Sequence, residues 1–425
     1  MKARELSAYL MSWPMKWLPM EKLFVLLVVS FGALLFFLAA TLVQQSQYDL
    51  VHQYIAARRA YNGRYANDLT EAGHVIKSLT STSSERGTTS GTTQPTARPV
   101  TDPPWLQNRT KAVPLTPFVP GKNQRHPFLR RYVIKNPHLC GKGAVDVLIV
   151  IHSFVKNFQR RRILRETWAG TGSVQGVAVR RVFLLGRDGA ERATQVHVNT
   201  EQATYGDVVQ GDFTDAFPNL TLKAVTGLRW VNDHCPQAGF VLKADDDMFV
   251  NVFSLLETFM QRLSGHSRTV MCHAKLANTS AIIRDPKSRW FVPKTLLPGR
   301  THWPAFCSGY VLAMTTDVVP GLYRASFSSA YVPVDDGFVY GVLPVLAGRD
   351  SLRYVDISPN LLLNEKQLLA QYRDPKKNLT YLAGAVNSET GLVKLWQATL
   401  NRLSPWAKQR ASITRLQDAM THKVL

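Results

Sequence analysis

Apolar and polar positions change rhythm several times along this chain, and each change marks a different kind of segment. From Leu23 to Val43 the run LFVLLVVSFGALLFFLAATLV is uncharged, about the ~20 residues that cross a bilayer as a helix. Further on, LTSTSSERGTTSGTTQPTARPVTDPP holds Ser, Thr, Pro and Gly and almost no large apolar residue; such a stretch buries too little surface to fold and reads as an extended stem. Near Tyr132 the pattern changes again. VDVLIVIHS (Val145 to Ser153) is a β-branched run of the kind buried on both faces of a parallel sheet. A basic helical stretch, FQRRRILRETWAG, follows, then a second strand, RRVFLLG (Arg180 to Gly186). In PNLTLKAVTGLRWVNDHC, Ala224, Val225, Leu228, Val231 and Cys235 fall on one helical face. A third strand, GFVLKA, runs into Asp245, Asp246 and Asp247. Strand and helix in alternation predict an α/β domain with a mostly parallel sheet, whose ligands bind at the carboxyl ends of strands.

The predicted organisation is a cytoplasmic tail (1–22), a transmembrane signal anchor (23–43), a luminal Ser/Thr/Pro-rich stem (44–131), a catalytic domain (132–405) and a C-terminal tail (406–425). The apolar run is longer, and starts later, than the ~7–15-residue core of a cleaved signal peptide. Lys2, Arg4, Lys16 and Lys22 precede it, and after it no base occurs until Arg58, so the positive-inside bias predicts a type II membrane protein. Sequons at Asn108, Asn219, Asn278 and Asn378 and all four cysteines, Cys140, Cys235, Cys272 and Cys307, fall on the luminal side. An oxidising lumen permits disulfides, in any of three connectivities. The formal charge of +21 would suit a nucleic-acid binder, but the basic residues are scattered and no nucleic-acid motif accompanies them.

Three adjacent carboxylates against an apolar strand call for a positive partner, because burying an ionised carboxylate alone is costly. Side chains alternate along a strand, so Asp245 and Asp247 are expected on one side, where they could share Mn²⁺ or Mg²⁺. An EF-hand is disfavoured because its sixth loop position needs Gly and here is Val250.

Specific stretches sharpen this. RRRILRETW, VFLLG, GDFTDAFPNLTLK, KADDDMFVN, CSGYVLA and VDDGFVYG occur in order from Arg160 to Gly341, and with them the chain resembles glycosyltransferase family 31, the β1,3-galactosyl and β1,3-N-acetylglucosaminyl transferases. The resemblance implies a GT-A fold with a Rossmann-like sheet, a Golgi membrane location, and transfer of galactose or N-acetylglucosamine from a UDP-sugar to a glycoprotein or glycolipid glycan. Asp245 and Asp247 would hold the metal on the UDP diphosphate; Lys243, Asp246, Arg161 and Arg165 would contact the nucleotide. Asp336 would be the catalytic base, with Asp335 orienting the acceptor. Attack opposite UDP would invert the anomeric centre.

Three departures stand out: CSGYVLA lacks the family's second glycine, Gly337 replaces a usual Val, and Asn387 stands where a histidine often completes the metal site. They motivate an alternative, a catalytically silent glycan-binding protein or transferase chaperone.

Overall fold

The computed structural model describes residues 126–403, except 142, 175, 190, 264–265, 349–351, 375–376 and 378. At its centre lies β2 (Val147–His152), all six of whose residues are buried. β4 (Val177–Arg187) and β6 (Phe240–Asp245) flank it in parallel, with His152 opposite Asp245 in the β2/β6 register. The full order is β1 (Tyr132–Ile134), β5 (Val208–Thr214), β4, β2, β6, β9 (Phe306–Thr315), β8 (Thr269–Lys275), β10 (Arg353–Asp356), with the two-residue β3 (Ser173–Val174) paired to β4.

The β1/β5, β6/β9 and β8/β9 ladders are antiparallel, and the other four on this path are parallel. The sheet is therefore mixed, which corrects the expectation of a mostly parallel one. Strand–helix alternation holds only through β6. Beyond it β8 returns through the 276–305 excursion to pair antiparallel with β9, a connection that the strand–helix rhythm does not foresee.

Helices α1 (Phe158–Glu166), α2 (Arg192–Tyr205), α3 (Leu220–His234), α4 (Val252–Leu263) and α5 (Val319–Ser326) follow β2, β4, β5, β7 (Met248–Val250) and β9. On α3, Ala224, Val225, Leu228 and Val231 are buried, as is Cys235 at its end. This face joins the core that also holds Val150, Leu184, Val241 and Leu312 from the sheet and Val319 and Leu322 from α5. α6 (Asp335–Gly337), a π-helical turn (Phe338–Val342) and α7 (Leu343–Leu346) form one helical run. α8 (Glu365–Arg373) is capped by Asn364, whose Oδ1 accepts from Gln367 N at 3.0 Å, and α9 (Glu389–Arg402) by Ser388, which accepts from Gly391 N at 3.0 Å.

A small second sheet pairs β7 with β11 (Ala383–Ala385) and brings the chain after β11 over the aspartate turn. Two disulfides resolve the cysteine connectivity: Cys140–Cys235 ties the approach to β2 to the end of α3, and Cys272–Cys307 ties β8 to β9.

Among the described residues no helix is long and apolar enough to cross a membrane. This corrects the expected fold with its transmembrane helix, and with it the signal anchor, the type II topology, the membrane-anchored partner arrangement and the Golgi membrane location. The apolar run 23–43 on which they rested, like the tails and the stem, lies outside the described residues.

Candidate active site

β6 ends at Asp245, and Asp246 and Asp247 already belong to the turn that leads into β7. Strand alternation therefore stops one residue into the triplet, and the three carboxylates part company. Asp245 accepts from Lys243 Nζ at 2.5 Å. Asp246 is buried and its Oδ2 accepts from Ser153 Oγ at 2.6 Å and Asn157 Nδ2 at 2.9 Å. Asp247 is exposed, and its carbonyl accepts from Val386 N at 2.7 Å.

The positive partner that the triplet calls for is Lys243, only 4 % exposed although it is charged. Its ammonium also donates to the Gly309 carbonyl on β9. Burial opposes its charge, but the surrounding Asp245, Asp335 and Asp336 outweigh burial and raise its pKa above the usual lysine value. Desolvation pushes Asp245 up to about 6 even with 38 % of its side chain open to solvent, while Lys243 pulls the other way.

The donor set expected for a divalent cation is therefore not assembled. One oxygen of Asp245 is engaged by an ammonium, Asp246 is turned to neutral partners, and Asp247 faces water. Among the described residues no group of three or more His, Cys, Asp or Glu is placed to hold a metal. The Mn²⁺ or Mg²⁺ cofactor, with its UDP-sugar carried on Asp245 and Asp247, is corrected on this point, and no step below runs through a metal. Asn387 contributes its backbone: its carbonyl accepts from Arg160 at 2.8 Å and its N–H donates to Glu365 at 2.9 Å.

Asp335 and Asp336 open the helical run on the other side of Lys243. Burial raises Asp336 first, and the neighbouring Asp335 adds to it, so its pKa is pushed up to about 8; Lys243 and a hydrogen bond from the Gly309 backbone resist. Asp335 is raised too, chiefly by burial. Tyr340, fully buried behind them, is raised well above the usual tyrosine value by burial and by the same carboxylates. A Cβ at Gly309 would run into Asp336 Oδ1, so only glycine lets β9 come this close to the carboxylate. Beside Asp336, Tyr310 OH bonds His273 Nδ1, and Lys275 Nζ lies 3.0 Å from His273 Nε2.

The two arginines expected to grip a nucleotide are committed elsewhere. Arg161, with 0 % of its side chain exposed, pairs with Glu201 at 2.7 Å and donates to Ser153 Oγ at 3.2 Å, so it braces the serine that holds Asp246. Arg165 pairs with Glu201 and Asp207, each at 2.7 Å, and lies over the rings of Phe183 and Tyr205. Arg160, in the same basic run, reaches the site directly: Nε donates to the Asp246 carbonyl at 2.8 Å, and its guanidinium ties down the Val386 and Asn387 carbonyls.

GDFTDAFPNLTLK is a brace as well. Asp215 accepts from Val155 N at 3.0 Å and Gly186 N at 2.9 Å, and pairs at 2.6 Å with Lys223, which donates to the Ser153 carbonyl at 2.7 Å. It clamps the ends of β2 and β4 beside the site. Sequence reasoning placed Gly309 only in a loop expected around the donor sugar, and did not single out Arg160, Ser153 or Asn157 as site residues; Arg160 lies inside a quoted motif, whereas nothing local marks Ser153 or Asn157.

Comparison with known proteins bears on the same stretch of chain. The family model described as galactosyltransferase matches residues 159–348, which span the aspartate turn, β9 and Asp336. A beta-1,3-galactosyltransferase 5 of Gorilla gorilla gorilla is 36% identical over 201 residues, 47% of this chain and 65% of that protein. A beta-1,3-galactosyltransferase 1 of Homo sapiens is 30% identical over 214 residues, 50% and 64% respectively. The chain thus spans just under two thirds of the length of these relatives. Among solved structures, the WbbM bifunctional glycosyltransferase overlaps 65% of this chain and 52% of its own at 11% identity and a TM-score of 0.32, too distant to carry an argument. The family match and the relatives together show that residues 159–348 carry a galactosyltransferase domain of the glycosyltransferase family 31 type.

Proposed function

We propose that the protein is a glycosyltransferase of β1,3-galactosyltransferase type, moving galactose, or else N-acetylglucosamine, from a UDP-sugar to a hydroxyl of a glycan on a glycoprotein or glycolipid. The observation that carries this reading is the Asp336 carboxyl. It is held against Gly309, its pKa is pushed up to about 8, and it opens a helical run at the edge of a site that already contains a buried cation. A general base works best when its pKa lies near the working pH, because it is then both available and strong enough to take a proton.

In this reading Asp336 removes the proton of the attacking hydroxyl as the oxygen bonds the anomeric carbon, and the bond to the UDP oxygen breaks on the opposite face, inverting the centre. Lys243 has three N–H bonds, of which Asp245 and Gly309 take two. Its charge offsets the negative charge that gathers on departing UDP. Asp335 and Asp245 keep the lysine charged. Arg161 and Arg165 act at a distance, through Ser153 and the packing of α1, and Asp246 fixes the turn.

The test is turnover of UDP-galactose and UDP-N-acetylglucosamine by the full chain with a panel of sugar acceptors. Loss of general-base help costs about 10²–10⁴-fold in rate, so Asp336→Asn should fall by that much at unchanged fold. An Asn variant as fast as the parent would remove Asp336 from this role. No transfer from either donor to any acceptor would favour the silent, glycan-binding alternative.

A further inference from the structure

Between β8 and β9 the chain leaves the sheet over 276–305 and returns beside the base. Arg284, half-buried, gathers the backbone of this excursion. Its guanidinium donates to the carbonyls of Val292, Pro293, Leu296, Leu297 and Arg300 at 3.0, 2.6, 3.0, 3.1 and 3.1 Å. Val292 and Leu297 are buried beneath it. Five carbonyls gathered on one cation fix the backbone, so the side chains it displays are displayed in one geometry.

What it displays is Arg289 and Trp290. Trp290 is 51% exposed. The Arg289 guanidinium lies 3.8 Å from the ring centroid of Phe217 and 5.2 Å from that of Trp290, and among the described residues no ion pair engages it. Phe217 on one side, and the end of the 276–305 excursion on the other, are joined to the chain around Asp336. Phe217 opens a turn whose Pro218 carbonyl accepts from Tyr331 OH, and Thr221 Oγ1 donates to the Val332 carbonyl at 2.7 Å, just before Asp335. At the other end Trp303 packs on Gly337, directly after Asp336.

A guanidinium over an aromatic ring presents its N–H edge outward, where it matches a carboxylate or sulfate with two parallel hydrogen bonds. An exposed indole beside it offers an apolar face to a sugar ring. The net charge of +21 draws anionic ligands toward the chain as a whole. We propose that Arg289, Trp290 and Phe217 form an acceptor subsite for a sugar bearing an oxyanion, a carboxylate or a sulfate ester, beside the sugar whose hydroxyl Asp336 activates. The word acceptor rests on the transferase reading above; the binding itself does not.

The experiment measures binding to the full chain of three probes: a glucuronosyl-N-acetylglucosamine disaccharide, its carboxyl-reduced neutral counterpart, and that reduced disaccharide carrying a sulfate ester. A charge-assisted hydrogen-bonded pair predicts about tenfold tighter binding of at least one charged probe over the neutral one, and the better of the two identifies the anion. Arg289→Gln should abolish that preference, Arg289→Lys should weaken it by losing the planar fork, and Lys287→Gln on the same loop should leave it intact. Equal binding of all three probes overturns the subsite. So does a preference that survives Arg289→Gln, or one lost equally in Lys287→Gln, which would mean diffuse charge. UDP-galactose transfer is followed separately. Transfer without a charged preference removes only the subsite, whereas a charged preference without transfer removes only the transferase reading.

Discussion

At the residue scale the site turns on one crowded contact, Asp336 against Gly309. Because the folded pKa of Asp336, about 8, lies above the ordinary 3.8, the folded state holds this proton more tightly than the unfolded chain does. The stability the group contributes is full below its unfolded pKa and is lost as pH rises through about 8. Asp336→Asn keeps the shape and cannot ionise. Its thermal midpoint should match the parent near about pH 4 and exceed it near about pH 9, as linkage requires, while its turnover collapses. The parent's kcat/KM should rise through pH of about 8, since that profile reports the free enzyme's base. A flat profile across that range would speak against Asp336. Gly309→Ala tests the same contact from the other side: its Cβ would collide with Asp336 Oδ1, so activity should fall with Asp336 unaltered in sequence. Sequence displayed both residues inside motifs but could not reveal this contact, because β9 and the helical run meet only in the fold. For the aspartates, sequence called for a positive partner but assigned the wrong one: Lys243, two residues away on the same strand, answers it.

At the element scale α1 shows why a run of arginines is hard to read. Arg161 and Arg165 share one helical face by their i,i+4 spacing, and that much is legible. Their partners are Glu201 on α2 and Asp207 just before β5, and no local pattern joins those positions to α1. A basic run thus reads as a solvated face or a nucleotide grip when part of it is buried. On α3, by contrast, the 3.6-residue period marks the buried face directly, because the core alone decides it. The α1 network makes a prediction. Removing one partner of a buried ion pair leaves an uncompensated charge at a cost of about 3–5 kcal/mol, so Glu201→Ala, which strips Arg161 of its carboxylate and leaves Arg165 with Asp207 alone, should lower stability by that much in urea unfolding. Arg162 pairs with Glu166 at 62% and 58% exposure; solvent screens that pair, so Arg162→Ala should leave the urea midpoint essentially where it is. Similar losses for the two variants would mean the network is not buried in solution.

Over the whole molecule, the polarity change of the sheet between β6 and β9 is what makes the site. Parallel β2, β4 and β6 deliver their carboxyl ends to one edge, and antiparallel β9 brings Gly309 and Tyr310 back to the same edge beside the helical run. The strand–helix rhythm of the first half announced the parallel part; the antiparallel return depends on a long excursion and a disulfide, neither of which has a periodic signature. The two disulfides should therefore differ in what they protect. In the chain-entropy account, loops of 95 and 35 residues correspond to roughly 4–5 and roughly 3–4 kcal/mol of stability. Cys140–Cys235 joins a surface approach to the far end of α3. Cys272–Cys307 joins β8 to β9 at the residue before Ser308 and Gly309, in a ladder whose register already shifts between Cys272 and Ala274. The Cys140→Ser/Cys235→Ser variant should lose stability and keep its turnover per folded molecule, because Cys235 lies at the opposite end of α3 from Thr221, which bonds the chain leading to Asp335. The Cys272→Ser/Cys307→Ser variant should lose less stability and more activity, since β9 would be free to drift from the carboxylate it now crowds. Urea midpoints with specific activity measured well below them separate the two effects. If both variants retain full turnover while folded, the hold of β9 on Asp336 does not need the disulfide, and the antiparallel ladder alone sets that contact.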